Sequence, residues 1–147
     1  YPLSTIHYPL STKMTSPTPV KPFLKWAGGK SQLIEQLKTK YPPELKRGQL
    51  KNYYEPFLGG GALFFDIIQN YPVDNVYLSD INEELILVYQ VVQNDVSSLI
   101  DLLQNYQQHY LSLDADERTA YFYEIREVYN HNRFNLNYKK RSDILEN

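Results

Sequence analysis

The sequence predicts an α/β fold, a single β-α-β unit followed by helices. Three observations predict it. Five of the six glycines fall in two clusters, at 28–29 and 59–61. Apolar runs around the second cluster read as strand, helix and strand, the last being "NVYLSD" (75–80), which ends on an acid. Beyond about residue 95 the apolar period becomes helical, and no further strand pattern occurs. A glycine turn between a strand and a helix, with a second strand after it, makes a parallel pair joined by a right-handed crossover.

The elements follow in order. "YPLST" occurs at 1–5 and again at 8–12, without acidic residues or an amphipathic period, and the only methionine is Met14. The expectation is that Met14 is the natural start and that residues 1–13 lie upstream of it or derive from cloning. A functional extension is the rival reading. Residues 15–22 hold three prolines and read as a linker. Residues 1–21 are therefore expected to be a disordered leader, and deleting 1–13 is expected to leave thermal stability unchanged.

Ser31–Tyr41 reads as a helix with Leu33, Ile34 and Leu37 on one face, stopped by Pro42-Pro43. Tyr53 and Tyr54 belong to a short buried strand that Gly59–Gly61 breaks. Ala62–Gln69 is helical and ends at "NYP". After the second strand, Glu83–Gln93 carries an apolar stripe of Leu85, Val88, Tyr89 and Val92. Val96–Tyr110 and Ala115–Asn130 are amphipathic helices with Asp95 and Asp114 as N-caps. The aromatic residues at 106–138 (Tyr106, Tyr110, Tyr121, Phe122, Tyr123, Tyr129, Phe134, Tyr138) stand at helical spacing. They read as core, with base stacking as the alternative.

Composition bounds the function. A chain of 147 residues, 42% hydrophobic and 22% charged, is that of a soluble globular domain. It has no cysteine, which excludes disulfides, thiol nucleophiles and cysteine-ligated metals. No apolar run approaches the roughly 18–20 residues of a membrane span, and no signal peptide is evident. A cytoplasmic location is expected, with no membrane and no metal. The net charge of -2 hides a polarity: residues 1–70 carry nine Lys/Arg against four Asp/Glu, and residues 71–130 carry two against eleven. A basic first half suits a polyanionic partner without requiring one.

"KWAGGKS" (25–31) ends like a phosphate-binding loop, but the pattern G-x-x-x-x-G-K-[ST] needs a glycine where Leu24 stands. Asp80 follows Gly59 by 21 residues, close to the spacing at which a carboxylate after the second strand holds two ribose hydroxyls. A dinucleotide fingerprint beginning at Gly59 would need a small residue at position 64, where Phe64 stands. S-adenosylmethionine has a ribose diol, an adenine and an amino-acid tail but no phosphate, and it fits these residues better. The bland alternative is a packed β-α-β unit whose glycines only turn the chain and whose Asp80 caps the next helix.

"PFLKWAGGK" (22–30), "YYEPFLGGGALFF" (53–65) and "LSDIN" (78–82) together resemble the Dam-type DNA adenine methyltransferases, in order and approximate spacing. The resemblance runs from Pro22 to the C-terminus, strongly to about Asn94 and weakly beyond. It implies a Rossmann-like S-adenosylmethionine methyltransferase fold, incomplete here, in an enzyme that methylates the exocyclic amino group of adenine in DNA. By the resemblance, Trp26 and Lys30 line the cofactor, with Lys30 meeting its carboxylate. Glu55 through Gly61 form the loop beneath the methionine tail, with Glu55, Pro56, Gly59, Gly60 and Gly61 as its cofactor-binding residues, and Asp80 holds the ribose. Alternatives stay open: Trp26 as core, Lys30 as a helix-start surface charge, Glu55 on the cofactor's ammonium or on a backbone amide.

The family's catalytic Asp-Pro-Pro-Tyr motif is absent from these residues. The only Pro-Pro, at 42–43, lies upstream of the glycine turn. The resemblance thus implies a cofactor-binding part at 22–94 and, at 95–147, the truncated start of a helical DNA-recognition insertion. No catalytic residue is expected in this chain. Its partners would be double-stranded DNA, for the full-length parent, and a complementing C-terminal fragment. Alternatives are half of a split enzyme, a non-catalytic cofactor- or DNA-binding module, and a dinucleotide oxidoreductase, which Phe64 disfavours.

Overall fold

A computed structural model describes residues 4–10, 19–133 and 135. It is a mixed α/β chain that divides into two compact units, Tyr1–Ile86 and Leu87–Asn147. The division falls inside a helix, eight residues before the boundary expected after Asn94.

The first unit contains a three-stranded sheet in which β3 (Asn75–Asp80) lies between β1 (Ser4–Pro9) and β2 (Asn52–Glu55). Strands β2 (Asn52–Glu55) and β3 (Asn75–Asp80) run parallel, with Glu55 opposite Leu78. Between them lies helix α3 (Ala62–Asn70), which buries Phe64, Phe65, Ile67 and Ile68. Strand β3 alternates strictly: Val76, Leu78 and Asp80 are buried, while Asn75, Tyr77 and Ser79 take the other face. Period-two alternation gives a half-covered sheet one dry face and one open face. On the open face His7, Tyr77 and Tyr54 stack in a row across all three strands, at centroid distances of 4.6 Å for each adjacent pair.

Strand β1 (Ser4–Pro9) corrects the expected disordered leader at residues 4–9. It pairs antiparallel with β3, Ser4 opposite Asp80 and Pro9 opposite Asn75. Ile6 is buried, and Tyr8 packs on Phe64 with burial raising its phenol pKa to about 12. The physical reason is alternation: Ile6 and Tyr8 point to the dry face, while Thr5 and His7 meet Ser79 and Asn75 through hydrogen bonds of 2.8 and 3.2 Å. Of the rest of the leader, residues 11–18 lie outside the description.

The helix expected over Ser31–Tyr41 is a 3-10 turn (Lys30–Leu33) followed by α1 (Ile34–Lys38). Pro43 does not merely stop it but begins α2 (Pro43–Lys46), since a proline at the first helical position loses no hydrogen bond. Helix α4 (Glu83–Asn94) straddles the two units and buries Leu85, Ile86 and Tyr89.

The second unit holds α5 (Val96–Ser112) and α6 (Ala115–Arg133). Asp114 caps α6, its Oδ1 accepting from the amides of Asp116 and Glu117 while Glu117 accepts from the Asp114 amide. Asp95 makes no such bond at α5. Of the aromatic residues expected as core, Tyr106, Tyr110, Phe122, Tyr123 and Tyr129 are exposed and Tyr121 is half-buried. Two helices bury too little between them to cover so many rings. Phe134 and Tyr138 lie outside the described residues.

Candidate functional site

Because β2 and β3 are parallel, their C-terminal ends open on the same side. The chain leaves β2 after Glu55, continues through Pro56–Leu58, and turns at Gly59–Gly61 into α3. The Leu58 amide donates to the Ser79 carbonyl at 3.0 Å, carrying the ladder past the end of β2. The turn is thus held against the end of β3.

Asp80 is the knot of this region. Its Oδ2 accepts from the Gly59 amide and its Oδ1 from the Asn82 amide, both at 2.9 Å. Capping of α4 falls to Asn82 instead, whose Oδ1 accepts from the Leu85 amide at 3.2 Å. Each carboxylate oxygen has two lone pairs, so both retain acceptor capacity toward a ligand.

The glycines serve two needs. Gly61 adopts φ +75° as the N-cap of α3, a left-handed conformation that favours glycine. At Gly60 a Cβ would stand 3.2 Å from the Trp26 Cβ and 3.4 Å from the Leu24 carbonyl oxygen. The turn therefore lets the segment around Trp26 approach closely. Trp26 is 40% exposed, which rejects its reading as core. Its indole lies beside Gly59 and forms one wall.

Lys30 is not a free surface charge. Its Nζ donates to Glu55 Oε1 at 2.9 Å and also to the Phe57 carbonyl. Glu55 is 3% exposed, and its Oε2 accepts from the Tyr53 hydroxyl at 2.9 Å. Burial pushes the Glu55 carboxyl above its ordinary range; the bonds from Lys30, Tyr53 and the Phe64 amide act the other way without cancelling it. The Tyr53 phenol is raised by burial first and by the neighbouring Glu55 second.

Trp26, Lys30, Gly59, Gly60 and Asp80 line one cavity of about 220 Å³, together with Gly28 and Phe57. Glu55, Pro56 and Gly61 do not line it: Glu55 lies beneath Lys30, Pro56 is exposed between β2 and the turn, and Gly61 starts the helix. A larger groove of about 960 Å³, lined by Val20, Trp26, Ile34, Phe65 and Gln69, includes neither Lys30 nor Asp80. The smaller cavity is the candidate site, because of the two it is the one that joins both charged groups to the strand ends. At less than the roughly 300 Å³ of typical ligand pockets, it accommodates part of a nucleoside ligand. Among the described residues no cluster of His, Asp or Glu could hold a metal ion.

No role in the site was expected for Tyr53 or Asn82, and Phe57 was expected only as part of the loop, not as the carbonyl that accepts from Lys30. Tyr53 carried a signal: two residues before Glu55 on a strand, it shares that residue's face. Asn82 carried another, as an Asn three residues before the apolar stripe of α4.

Residues 26–146 match the family model of D12 class N6 adenine-specific DNA methyltransferase. The chain is 48% identical over 122 residues to the type II methyltransferase M.MjaIII of Methanocaldococcus jannaschii, covering 83% of this chain and 42% of that protein. It is 41% identical over 86 residues to a DNA N-6-adenine-methyltransferase of Escherichia phage P1, covering 58% of this chain and 10% of the relative. With a DNA adenine methylase of Haemophilus influenzae it shares 37% identity over 82 residues, 55% of this chain and 25% of that one. The chain thus spans less than half the length of each of these relatives. No solved structure matches it. Strand β1 lies outside the matched residues, whereas the cavity and both glycine clusters lie within them. The chain belongs to the D12 class of N6 adenine-specific DNA methyltransferases.

Proposed function

We propose that the protein is an S-adenosylmethionine-dependent DNA methyltransferase that modifies the exocyclic amino group of adenine in double-stranded DNA. In this reading the first unit is the opening β-α-β of a Rossmann-like fold and holds the cofactor, while α5 and α6 begin a helical DNA-recognition insertion. The observation that carries it is the placement of Asp80 beside the glycine turn, at the shared C-terminal end of two parallel strands.

The residues fit the cofactor chemically. Asp80 retains acceptor capacity for a ribose diol, Lys30 has one N–H not committed to Glu55 or Phe57, and the glycine turn presents backbone without side chains. Nothing in the cavity is arranged for a pyrophosphate: the residue at position 64 is phenylalanine, and the first glycine cluster lacks the phosphate-loop spacing. The bound cofactor would supply an electrophilic methyl group on a sulfonium. The chain's own residues would bind its ribose through Asp80, orient its tail through Lys30, and exclude water on one side with Trp26.

Acceptors for the adenine amino group and a stacking partner for the extruded base are also needed. The family's Asp-Pro-Pro-Tyr motif, absent from these 147 residues, would supply them from a C-terminal segment or a complementing fragment. Titration calorimetry tests the cofactor reading. S-adenosylmethionine should bind and NAD should not, and Asp80→Asn should weaken binding by roughly tenfold or more, the worth of a charge-assisted bond. Equal binding of both ligands, or an Asp80→Asn chain that binds as tightly as the parent, would overturn it.

A further inference from the structure

We infer that Tyr53 and Glu55 are positioning residues that act through Lys30, fixing its ammonium at the glycine turn with one N–H left for the carboxylate of an amino-acid-bearing nucleoside. The inference rests on the cofactor reading above and reassigns Glu55, which the resemblance places against the cofactor itself.

The geometry separates the three residues by role. Lys30 lines the cavity and its side chain is 31% exposed; Glu55 does not line it and is 3% exposed. Both Glu55 oxygens are engaged, Oε1 by Lys30 and Oε2 by Tyr53, and the Phe64 amide adds a third donor. A carboxylate so enclosed has no open direction toward a ligand's ammonium. What it does is aim Lys30. An ammonium on a flexible four-carbon stem has no preferred direction of its own. Two of its three N–H groups are spent here on acceptors in the same stretch of chain, Glu55 and the Phe57 carbonyl. The third is thereby directed.

Tyr53 completes the arrangement because it fixes the anchor. Residues 53 and 55 share the dry face of β2, opposite Val76 and Leu78, so the phenol reaches Glu55 without leaving the strand. Without that hydroxyl the carboxylate could rotate about its last torsion and carry Lys30 with it. The Lys30–Glu55 pair also has no net charge. Discrimination of a carboxylate then depends on a directed N–H rather than on a diffuse positive field, and directed bonds are the ones that loss of positioning removes.

The test compares two probes on the full chain by calorimetry: S-adenosylmethionine and its decarboxylated form, which differ only in the carboxylate. The parent chain should prefer S-adenosylmethionine by roughly tenfold or more. Lys30→Met and Glu55→Met should bring the two affinities to within about twofold, since neither variant keeps the Lys30–Glu55 bond, Tyr53→Phe should erode the preference by about threefold or more, and Lys30→Arg should retain most of it. The decarboxylated probe should bind the parent and all variants alike. In the ligand-free chain, a slowly exchanging Lys30 ammonium signal by NMR should weaken in Tyr53→Phe and vanish in Glu55→Met, which has no carboxylate to accept from it. Variants that weaken both probes equally would show a purely structural role and overturn the inference, as would a Tyr53→Phe chain with its preference and its Lys30 signal intact. Failure of the parent to bind either probe would instead overturn the cofactor reading, and the inference with it.

Discussion

The ion pair of Lys30 with Glu55 joins residues 25 apart in the chain and leaves the carboxylate 3% exposed. Burial of Glu55 has a consequence for stability. Its folded-state pKa lies above the ordinary value of 4.5, so between the two the folded chain binds more protons than the unfolded one. Stability from this group is full below that interval and is lost as pH rises through it. Glu55→Gln cannot titrate. Urea midpoints measured from about pH 4 to about pH 7 should therefore show the parent losing stability relative to Glu55→Gln as pH rises. A constant difference would contradict the buried, raised carboxyl. A second test concerns the glycine turn. Gly60→Ala places a methyl against the Trp26 Cβ and the Leu24 carbonyl, and should cost about 1–3 kcal/mol through overpacking. Trp26→Gly removes the Cβ that is one of those two obstacles, so the double variant should lose less than the sum of the singles. Strict additivity in denaturation would mean that Trp26 does not rest on the turn. Of these residues, Asp80 was legible from spacing, because a strand that ends on an acid 21 residues after a glycine turn has only one side on which to place it. The Lys30–Glu55–Tyr53 cluster was not, since its ion pair joins residues 25 apart across elements whose packing no local pattern specifies.

At the scale of elements, β2, α3, β3 and α4 follow from the apolar period and the turn residues, whereas β1 was obscured by its own repetition. "YPLST" twice in twelve residues reads as low complexity, and that impression masked the alternation of Ile6 and Tyr8 against Thr5 and His7. A strand also needs a partner. The partner here is β3, almost seventy residues away, and the long connection leaves no trace in a local window. Strand β1 buries Ile6, brings Tyr8 onto Phe64 and closes one edge of β3. Deleting residues 1–10 should thus destabilise the first unit by about 1–3 kcal/mol, since the ordering of six residues offsets most, but not all, of what burial of Ile6, packing of Tyr8 and the ladder of hydrogen bonds to β3 contribute together. Because an uncovered edge invites pairing with another chain, the deletion should also raise the tendency to associate. Denaturation curves of the truncated and parent chains that superimpose would restore the view of these residues as a passive leader.

At the scale of the whole molecule, the two units differ in what they complete. The first closes a core around α3 and β3 and brings five of its expected site residues to one cavity. The second leaves an apolar cavity of about 620 Å³ between α5 and α6, lined by Tyr106, Tyr110, Phe122 and Tyr129 among others. The sequence showed the amphipathic period of both helices but not what their apolar faces meet, because burial depends on neighbours that a period does not name. Charge gives a further contrast. Residues 95–133 carry seven acids against three arginines, a poor surface for phosphate. The expected outcome is that the isolated chain transfers no methyl group to DNA and binds duplex DNA no more tightly than about 10⁻⁴ M at physiological salt, the weak limit of non-specific binding. It should nonetheless retain its cofactor affinity, because Asp80, Lys30 and the glycine turn are all in place. Labelled-methyl transfer to DNA is the assay, run with the chain alone and with an added fragment of M.MjaIII comprising the part of that protein that this chain does not match. Transfer by the mixture but by neither part would place the cofactor half in this chain and the base-capturing half in the fragment. Robust transfer by the chain alone would mean that the 147 residues contain a means of capturing adenine for which neither the cavity nor the two helices provides acceptors.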